Sequence, residues 1–114
     1  MSAPVVTAEA AGISREEAKQ MVGPGWGYLL DVLYAVTAGP VPVVVTTVKE
    51  KFGTLRVYYD GGDRNFMDLV DALENVSAHL CDQCGKQAGR RPYGGWILTR
   101  CGDCAPKTGD ARNA

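Results

Sequence analysis

The sequence lacks any apolar run near the roughly 20 residues that a membrane-spanning helix needs. It also lacks the pattern of a secretory leader, since its first residues, MSAPVVTAEAAG, contain no basic region followed by an apolar core. These two absences predict a protein with no membrane span and a cytoplasmic location. At 114 residues, the chain has the length of a single domain.

The sequence also has little histidine, and neither sign of charge is in excess. Twelve basic residues balance thirteen acidic ones, for a formal net charge of −1, whereas strong nonspecific nucleic-acid binders are clearly basic. His79 is the single histidine. A Ser/His/Asp triad or a Cys/His pair cannot be built convincingly from it, and the His-x-Glu of a zinc deaminase is absent. The sequence therefore predicts a protein that is not an enzyme.

The sequence does contain a clear cysteine pattern. Its four cysteines form two Cys-x-x-Cys pairs, Cys81/Cys84 and Cys101/Cys104, with sixteen residues between the inner two. This spacing is typical of a Zn²⁺ site, because each pair can direct two sulfurs at one ion from a tight turn. Four Cys ligands fill the coordination sphere of zinc, so we expect a structural ion. Free dithiols or disulfides are the alternative, and a reducing cytoplasm disfavours disulfides.

The segment between the two pairs predicts a small zinc-binding module. Gly94-Gly95 separates two short β-prone runs, which indicates a hairpin turn. After Cys101 we expect a short helix with Asp103 in its first turn. A knuckle, a hairpin and a helix in this order are typical of a treble clef, and a zinc ribbon is the alternative. Trp96 is expected to shield the metal, and its other interpretation is an anchor for a base or a partner protein.

Upstream of the cysteines, the sequence first predicts two helices. Ser14 and Glu17 fit a capping box, so a short helix begins there and ends near Val22. We expect Gly23 to provide a left-handed exit from this helix. Residues 26–38 are apolar on nearly every face of a second helix. Such a helix must be buried on most sides, either in the core of this domain or also against another chain, as in a homodimer.

A β-hairpin and a third helix follow. Residues 43–49 and 54–59 are rich in β-branched and aromatic residues on either side of a break near Gly53, which predicts two antiparallel strands. Asp63 is a candidate N-cap, and apolar residues then recur at helical spacing as far as Leu80. The opposite face of this helix is acidic, and we expect it to be solvated.

Together these elements predict one α+β domain: helices plus an antiparallel β-hairpin, with a C-terminal zinc-stabilised module of treble-clef-like or zinc-ribbon type. Residues 1–12 are expected to form a loose arm, and residues 13–80 a helix–helix–hairpin–helix core. Residues 81–106 are the zinc module, and residues 107–114 a frayed tail.

Two sets of residues are candidates for binding a partner. Exposed aromatic side chains favour docking on another protein, and these candidates are Tyr28, Tyr34, Phe52 and Tyr58. Basic residues beside an aromatic one favour nucleic acid, since they can track phosphates and stack bases. These candidates lie in the zinc module and are Lys86, Arg90, Arg91, Arg100 and Trp96. The alternative is that these cations offset the negative charge of a four-thiolate zinc centre.

The order of these motifs resembles that of a family of small, uncharacterised proteins of bacteriophages and prophages. The likeness covers roughly residues 23–106 and is most specific in KEKFGTLR, which is followed by CDQCG, GGW and CGDC. Two positions depart from the family pattern. Cys104 stands where the family often has His, which still closes a zinc tetrahedron, and Gln87-Ala88-Gly89 stands where Pro-Gly is frequent.

The resemblance implies a phage or mobile-element origin and therefore action inside a host cell. We expect a protein that docks on a host protein, including as an inhibitor of an antiviral defence such as CRISPR. A nucleic-acid-binding accessory factor is the alternative.

Overall fold

The computed structural model of the protein describes residues 12–37 and 41–106. The elements in chain order are α1 (Arg15–Met21), a 3-10 turn (Pro24–Trp26), α2 (Gly27–Thr37), β1 (Val43–Lys51), β2 (Thr54–Gly61), α3 (Arg64–Ser77), β3 (Arg90–Tyr93) and β4 (Trp96–Thr99). Strand β1 pairs with β2 and β3 with β4, both antiparallel. The predicted α+β class is confirmed. The predicted N-terminal arm, apart from Gly12, and the predicted tail lie outside the described residues.

Helix α1 begins with the predicted capping box. The hydroxyl of Ser14 accepts from the backbone N–H of Glu17 at 3.0 Å, and the Glu17 carboxylate accepts from the N–H of Ser14 at 2.8 Å. Both bonds satisfy donors that the first turn of a helix leaves free. The helix ends at Met21, but the predicted left-handed exit is wrong, because Gly23 has an extended backbone with φ of −65°.

The 3-10 turn and α2 supply the largest side chains of the core. Trp26, Leu30 and Leu33 are completely buried and Leu29 nearly so, as their helical spacing predicts. Val36 departs from this face and is 42% exposed, because α2 ends one residue later. In the part of the chain that the structure describes, α2 packs against α1 and α3. No helix within residues 12–37 and 41–106 has the length and apolarity to cross a bilayer.

Strands β1 and β2 form the predicted hairpin and continue beyond their β-prone runs, to Lys51 and Gly61 respectively. Phe52 and Gly53 make a two-residue turn with φ of 54° and 83°, which is the type I′ geometry that suits the twist of a hairpin. A bulge between Val45 and Thr47 shifts the register. Because of this extra residue, Val45 and Val48 both face the core although they are three positions apart.

Helix α3 covers the hairpin and protects its edge. Asp63 caps the helix as predicted, its carboxylate accepting from the N–H of Phe66 at 2.9 Å. On the outer edge of β2, the N–H of Leu55 donates to the hydroxyl of Ser77 at 2.8 Å, and the N–H of Val57 donates to the carboxylate of Glu74 at 2.9 Å. The prediction of a purely solvated acidic face is therefore wrong for Glu74. Side chains of α3 take the place of a third strand.

We expect Ser77→Ala to lower the free energy of unfolding by about 1–3 kcal/mol, because it leaves the N–H of Leu55 buried without a partner. Thr46→Val is the matched control, since the hydroxyl of Thr46 bonds the carbonyl of Tyr58 at an exposed site where water can replace it. Urea unfolding of both variants measures the difference. Equal losses would contradict the role assigned to Ser77.

Candidate metal centre

The two Cys-x-x-Cys pairs meet at one point. One ligand atom from each of Cys81, Cys84, Cys101 and Cys104 lies within 4.8 Å of the others, and the sulfurs of Cys84 and Cys101 are 3.5 Å apart. Zinc bound at about 2.3 Å by four sulfurs requires sulfur–sulfur distances of about 3.8 Å, which this range brackets. None of the four cysteines forms a disulfide. The cluster thus has the ligand type, number and spacing of a structural zinc site.

The first knuckle is a tight turn built by its own backbone. Gly85 has φ of 83°, a conformation that glycine adopts without strain. Its N–H donates to the carbonyl of Cys81 at 2.9 Å, and the N–H of Cys81 donates to the carbonyl of Lys86 at 2.7 Å. The N–H of Gln83 points to the sulfur of Cys81 at 3.4 Å. These bonds fix Cys81, which is completely buried, whereas Cys84 is exposed.

The second knuckle is a single helical turn. The N–H groups of Cys104 and Ala105 both donate to the carbonyl of Cys101, at 3.1 and 2.9 Å. The helix predicted after Cys101, with Asp103 in its first turn, is not formed over residues 101–106. Over the described residues the module has the order knuckle, hairpin, knuckle.

The first knuckle is attached to the core by the segment that follows α1. The N–H of Gly25 donates to the carbonyl of Asp82 at 2.8 Å, and the indole N–H of Trp26 donates to the carbonyl of Leu80 at 3.0 Å. A Cβ placed on Gly23 or on Gly25 would lie 2.0 Å from a carbonyl oxygen of the knuckle. Both positions need glycine for this close approach, not for a left-handed exit.

The tryptophan beside the cluster is Trp26, not Trp96. Trp26 is completely buried and its bond to Leu80 places it next to the first ligand. Trp96 begins β4 directly after the Gly94-Gly95 turn and is 66% exposed. The prediction that Trp96 shields the metal is therefore wrong, since a ring this exposed provides little cover.

A buried ion pair between Asp82 and Arg100 connects the two ends of the module. Asp82 is nearly fully buried, and its carboxylate accepts from the Nε of Arg100 at 2.8 Å and from the side-chain amide of Gln83 at 3.1 Å. The backbone N–H of Asp82 donates to the carbonyl of Thr99 at 2.9 Å. These bonds tie the first knuckle to β4. Arg100, a candidate for binding nucleic acid, is thus engaged inside the protein.

The thiols differ widely in acidity. Burial raises the pKa of Cys81, but backbone hydrogen bonds from both knuckles outweigh it and lower that pKa to about 6. Side-chain contacts with Cys101 and Cys84 raise the pKa of Cys104 to about 12. A thiol of this kind stays protonated at neutral pH, whereas a bound divalent metal deprotonates the thiols that coordinate it. A bound divalent cation would offset the charge of four thiolates this close together.

The remaining candidate residues fall into separate places. Lys86 forms an exposed ion pair with Asp103 at 3.5 Å. The Nε of Arg90 donates to the carbonyl of Phe52 at 2.8 Å, while Arg91 is exposed on β3. The hydroxyl of Tyr34 donates to the carbonyl of Ile13 at 3.0 Å and its ring is partly buried, so it is not the exposed side chain that was expected. Tyr28 and Tyr58 are exposed as expected.

Phe52 and Trp96 come together from different hairpins. They line one groove of about 320 Å³ with Glu50, Lys51, Gly95 and Ile97. The two hairpins are held in place by Arg90 and by Thr99, whose buried hydroxyl donates to the carbonyl of Gly53 at 2.6 Å.

Sequence reasoning missed Gly25, Trp26 and Thr99 as supports of the site. The only signal was the run GPGWG, whose glycines are too many for a simple helix stop.

Comparison of the chain with models of known protein families, with curated proteins and with solved structures finds no match. The resemblance to small phage proteins thus rests on the sequence motifs alone.

We expect the purified protein to hold one zinc ion and Cys84→Ser to lose it. Structural zinc contributes about 10–16 kcal/mol of apparent binding free energy in small zinc peptides, so loss of the ion should lower the melting temperature strongly. His79→Ala should keep both the metal and the stability, because His79 is not among the clustered ligands. Elemental analysis and melting with and without a strong chelator measure this. Melting that a chelator leaves unchanged would rule out the site.

We expect Gly25→Ala to destabilise the protein by about 1–3 kcal/mol, since a new Cβ forces the first knuckle away from the core. Zinc should also be lost at lower chelator concentration than in the wild type. Gly102→Ala is the matched control, because Gly102 lies in the second knuckle and a Cβ added there would meet no atom within 4 Å. If both variants retain zinc equally well, the first knuckle does not depend on this contact.

Proposed function

We propose that this protein is a zinc-stabilised docking module that binds another protein through the groove between its two hairpins. The observation that carries the proposal is the meeting of Phe52 and Trp96 in one groove, where they are 56% and 66% exposed. Ile97 adds a third apolar side chain, 37% exposed. Aromatic side chains of this kind are the usual anchors of protein interfaces.

A metal ion at the cysteine cluster would hold in place the β3–β4 hairpin, which forms one side of this groove. Residues Gly95, Trp96 and Ile97 belong to the hairpin that connects the two cysteine pairs. A hairpin with strands of four residues each has little stability of its own in water. A metal ion that joins both ends of the segment holds this hairpin against the tip of the β1–β2 hairpin. Zinc therefore acts on binding by fixing the groove in one shape before a partner arrives.

Nucleic acid is the second candidate, and it is favoured by Arg91 and Trp96, which are both exposed on the β3–β4 hairpin. The total charge opposes it. The formal net charge of −1 falls to about −3 when four thiolates bind one Zn²⁺. Two other cations of the module, Lys86 and Arg100, form ion pairs with acidic residues. A protein partner agrees better with this balance than a polyanion does.

The resemblance to phage and prophage proteins supports a partner from a bacterial host. A small protein that acts by binding suits the inhibition of a host process. We include in the proposal the inhibition of an antiviral defence system such as CRISPR. This part of the proposal depends on the resemblance and not on the groove.

The test is capture of partners from bacterial host lysate by the tagged protein, with and without nuclease. We expect a partner in near-stoichiometric amount that survives nuclease, and its loss with the double variant Phe52→Ala/Trp96→Ala. Tyr28→Ala/Tyr58→Ala is the matched control, since both tyrosines are exposed and neither lines the groove. Partners that disappear with nuclease would favour nucleic acid. Capture that survives nuclease and is unchanged in the Phe52→Ala/Trp96→Ala variant would mean that the interface lies outside the groove.

A further inference from the structure

A second pocket begins at Arg90, whose side chain donates to the carbonyl of Phe52 in the docking groove. The pocket has a volume of about 300 Å³ and lies where the zinc module meets β2 and α3. Its lining is mainly polar and consists of Thr54, Arg56, Glu74, Asn75, Ala78 and Arg90. The two arginines come from different parts of the chain, since Arg56 lies on β2 and Arg90 on β3.

Both guanidinium groups are fixed at their inner end. The Nε of Arg56 donates to the hydroxyl of Thr54 at 3.0 Å, and the Nε of Arg90 donates to the carbonyl of Phe52 at 2.8 Å. Within residues 12–37 and 41–106, neither arginine has a carboxylate within ion-pair distance. Their outer nitrogens are therefore available, and a guanidinium offers them as a planar fork that matches an oxyanion.

The pocket also contains one carboxylate, that of Glu74, and one of its oxygens already has a hydrogen-bond partner. Glu74 accepts from the N–H of Val57 at 2.9 Å, so it serves the edge of β2. Two arginines and one glutamate leave the pocket with a single uncompensated positive charge. An anion of charge −1 balances this, whereas a phosphate monoester, which carries about −1.5 to −2 at neutral pH, does not.

We propose that this pocket binds a carboxylate, namely an acidic group of the protein that docks in the adjacent groove. The proposal rests on the proposed function, and it specifies the chemistry of the partner: apolar side chains for Phe52 and Trp96, next to a carboxylate for Arg56 and Arg90. Arg90 links the two parts, because it lines the pocket and bonds the backbone of the groove. The carboxylate belongs to an acidic side chain or to a chain terminus.

The test is an NMR titration of the isolated zinc-loaded protein, observed on the Nε–H signals of Arg56 and Arg90. One probe is N-acetylglutamic acid α-amide, which offers only a side-chain carboxylate, and the other is N-acetylglutamine, which offers only a terminal one. We expect saturable shifts with at least one probe, and the tighter probe identifies the source. Inorganic phosphate is the third arm, and tighter binding of phosphate would overturn the assignment to carboxylate.

Variants distinguish a specific binding site from nonspecific electrostatic attraction of the probes to the protein. Arg56→Gln and Arg90→Gln should each weaken binding by about tenfold, the factor that corresponds to losing one charged hydrogen bond. Arg56→Lys keeps the charge without the fork and should also weaken it. Arg91→Gln is the matched control, because Arg91 is exposed next to Arg90 on β3 and does not line the pocket. It should bind as the wild type does.

The absence of saturable shifts in the wild type would overturn the proposal, as would equal weakening by Arg91→Gln. Zinc content and unfolding of each variant, measured beforehand, show that the variants tested are folded. The probes act on the protein alone, so this result is independent of the lysate capture. Capture that needs Phe52 and Trp96 but not Arg56 or Arg90 would leave the docking function intact and remove the carboxylate site.

Discussion

The approach of the Gly23–Gly25 backbone to the first knuckle joins the two halves of this chain. One hydrogen bond from Gly25 and one from the indole of Trp26 fix the carbonyls of Asp82 and Leu80, on either side of the first ligand. Because Trp26 is also among the most deeply buried residues of the core, the position of Cys81 is set by the packing of the 3-10 turn before α2. The cysteine cluster is thus joined to the packed core by hydrogen bonds.

A chain of polar contacts continues from this junction to the turn of the β1–β2 hairpin. The buried pair of Asp82 and Arg100 and the hydrogen bond from Asp82 to Thr99 connect the first knuckle to β4. Thr99 then bonds the carbonyl of Gly53 in the turn of the first hairpin. A small domain buries a limited fraction of its surface, and here a few buried polar contacts and the cysteine cluster add to a limited apolar core. The groove and the arginine pocket both lie along this line of contacts.

Local features could be predicted from the sequence, and features that depend on distant pairs could not. The capping box at Ser14, the hairpin and the cysteine cluster each follow from residues whose spacing carries its own physical meaning. The role of Glu74 at the edge of β2, the pairing of Arg100 and the need for glycine at position 25 depend on which segments pack together. Trp26 and Trp96 illustrate the difference, since nothing in the residue type tells which of two tryptophans lies beside the cysteine cluster.

The turn of the first hairpin holds a phenylalanine at a position where asparagine or glycine is usual. Phe52 adopts φ of 54°, a left-handed conformation that costs a residue with a Cβ about 1–2 kcal/mol and that asparagine or glycine tolerates better. A chain selected for stability alone would replace this phenylalanine. Under the proposed docking function, its presence in the groove exchanges folding free energy for a binding surface. Under the same proposal, a chain with Asn-Gly at this turn would be more stable and would lack the aromatic anchor.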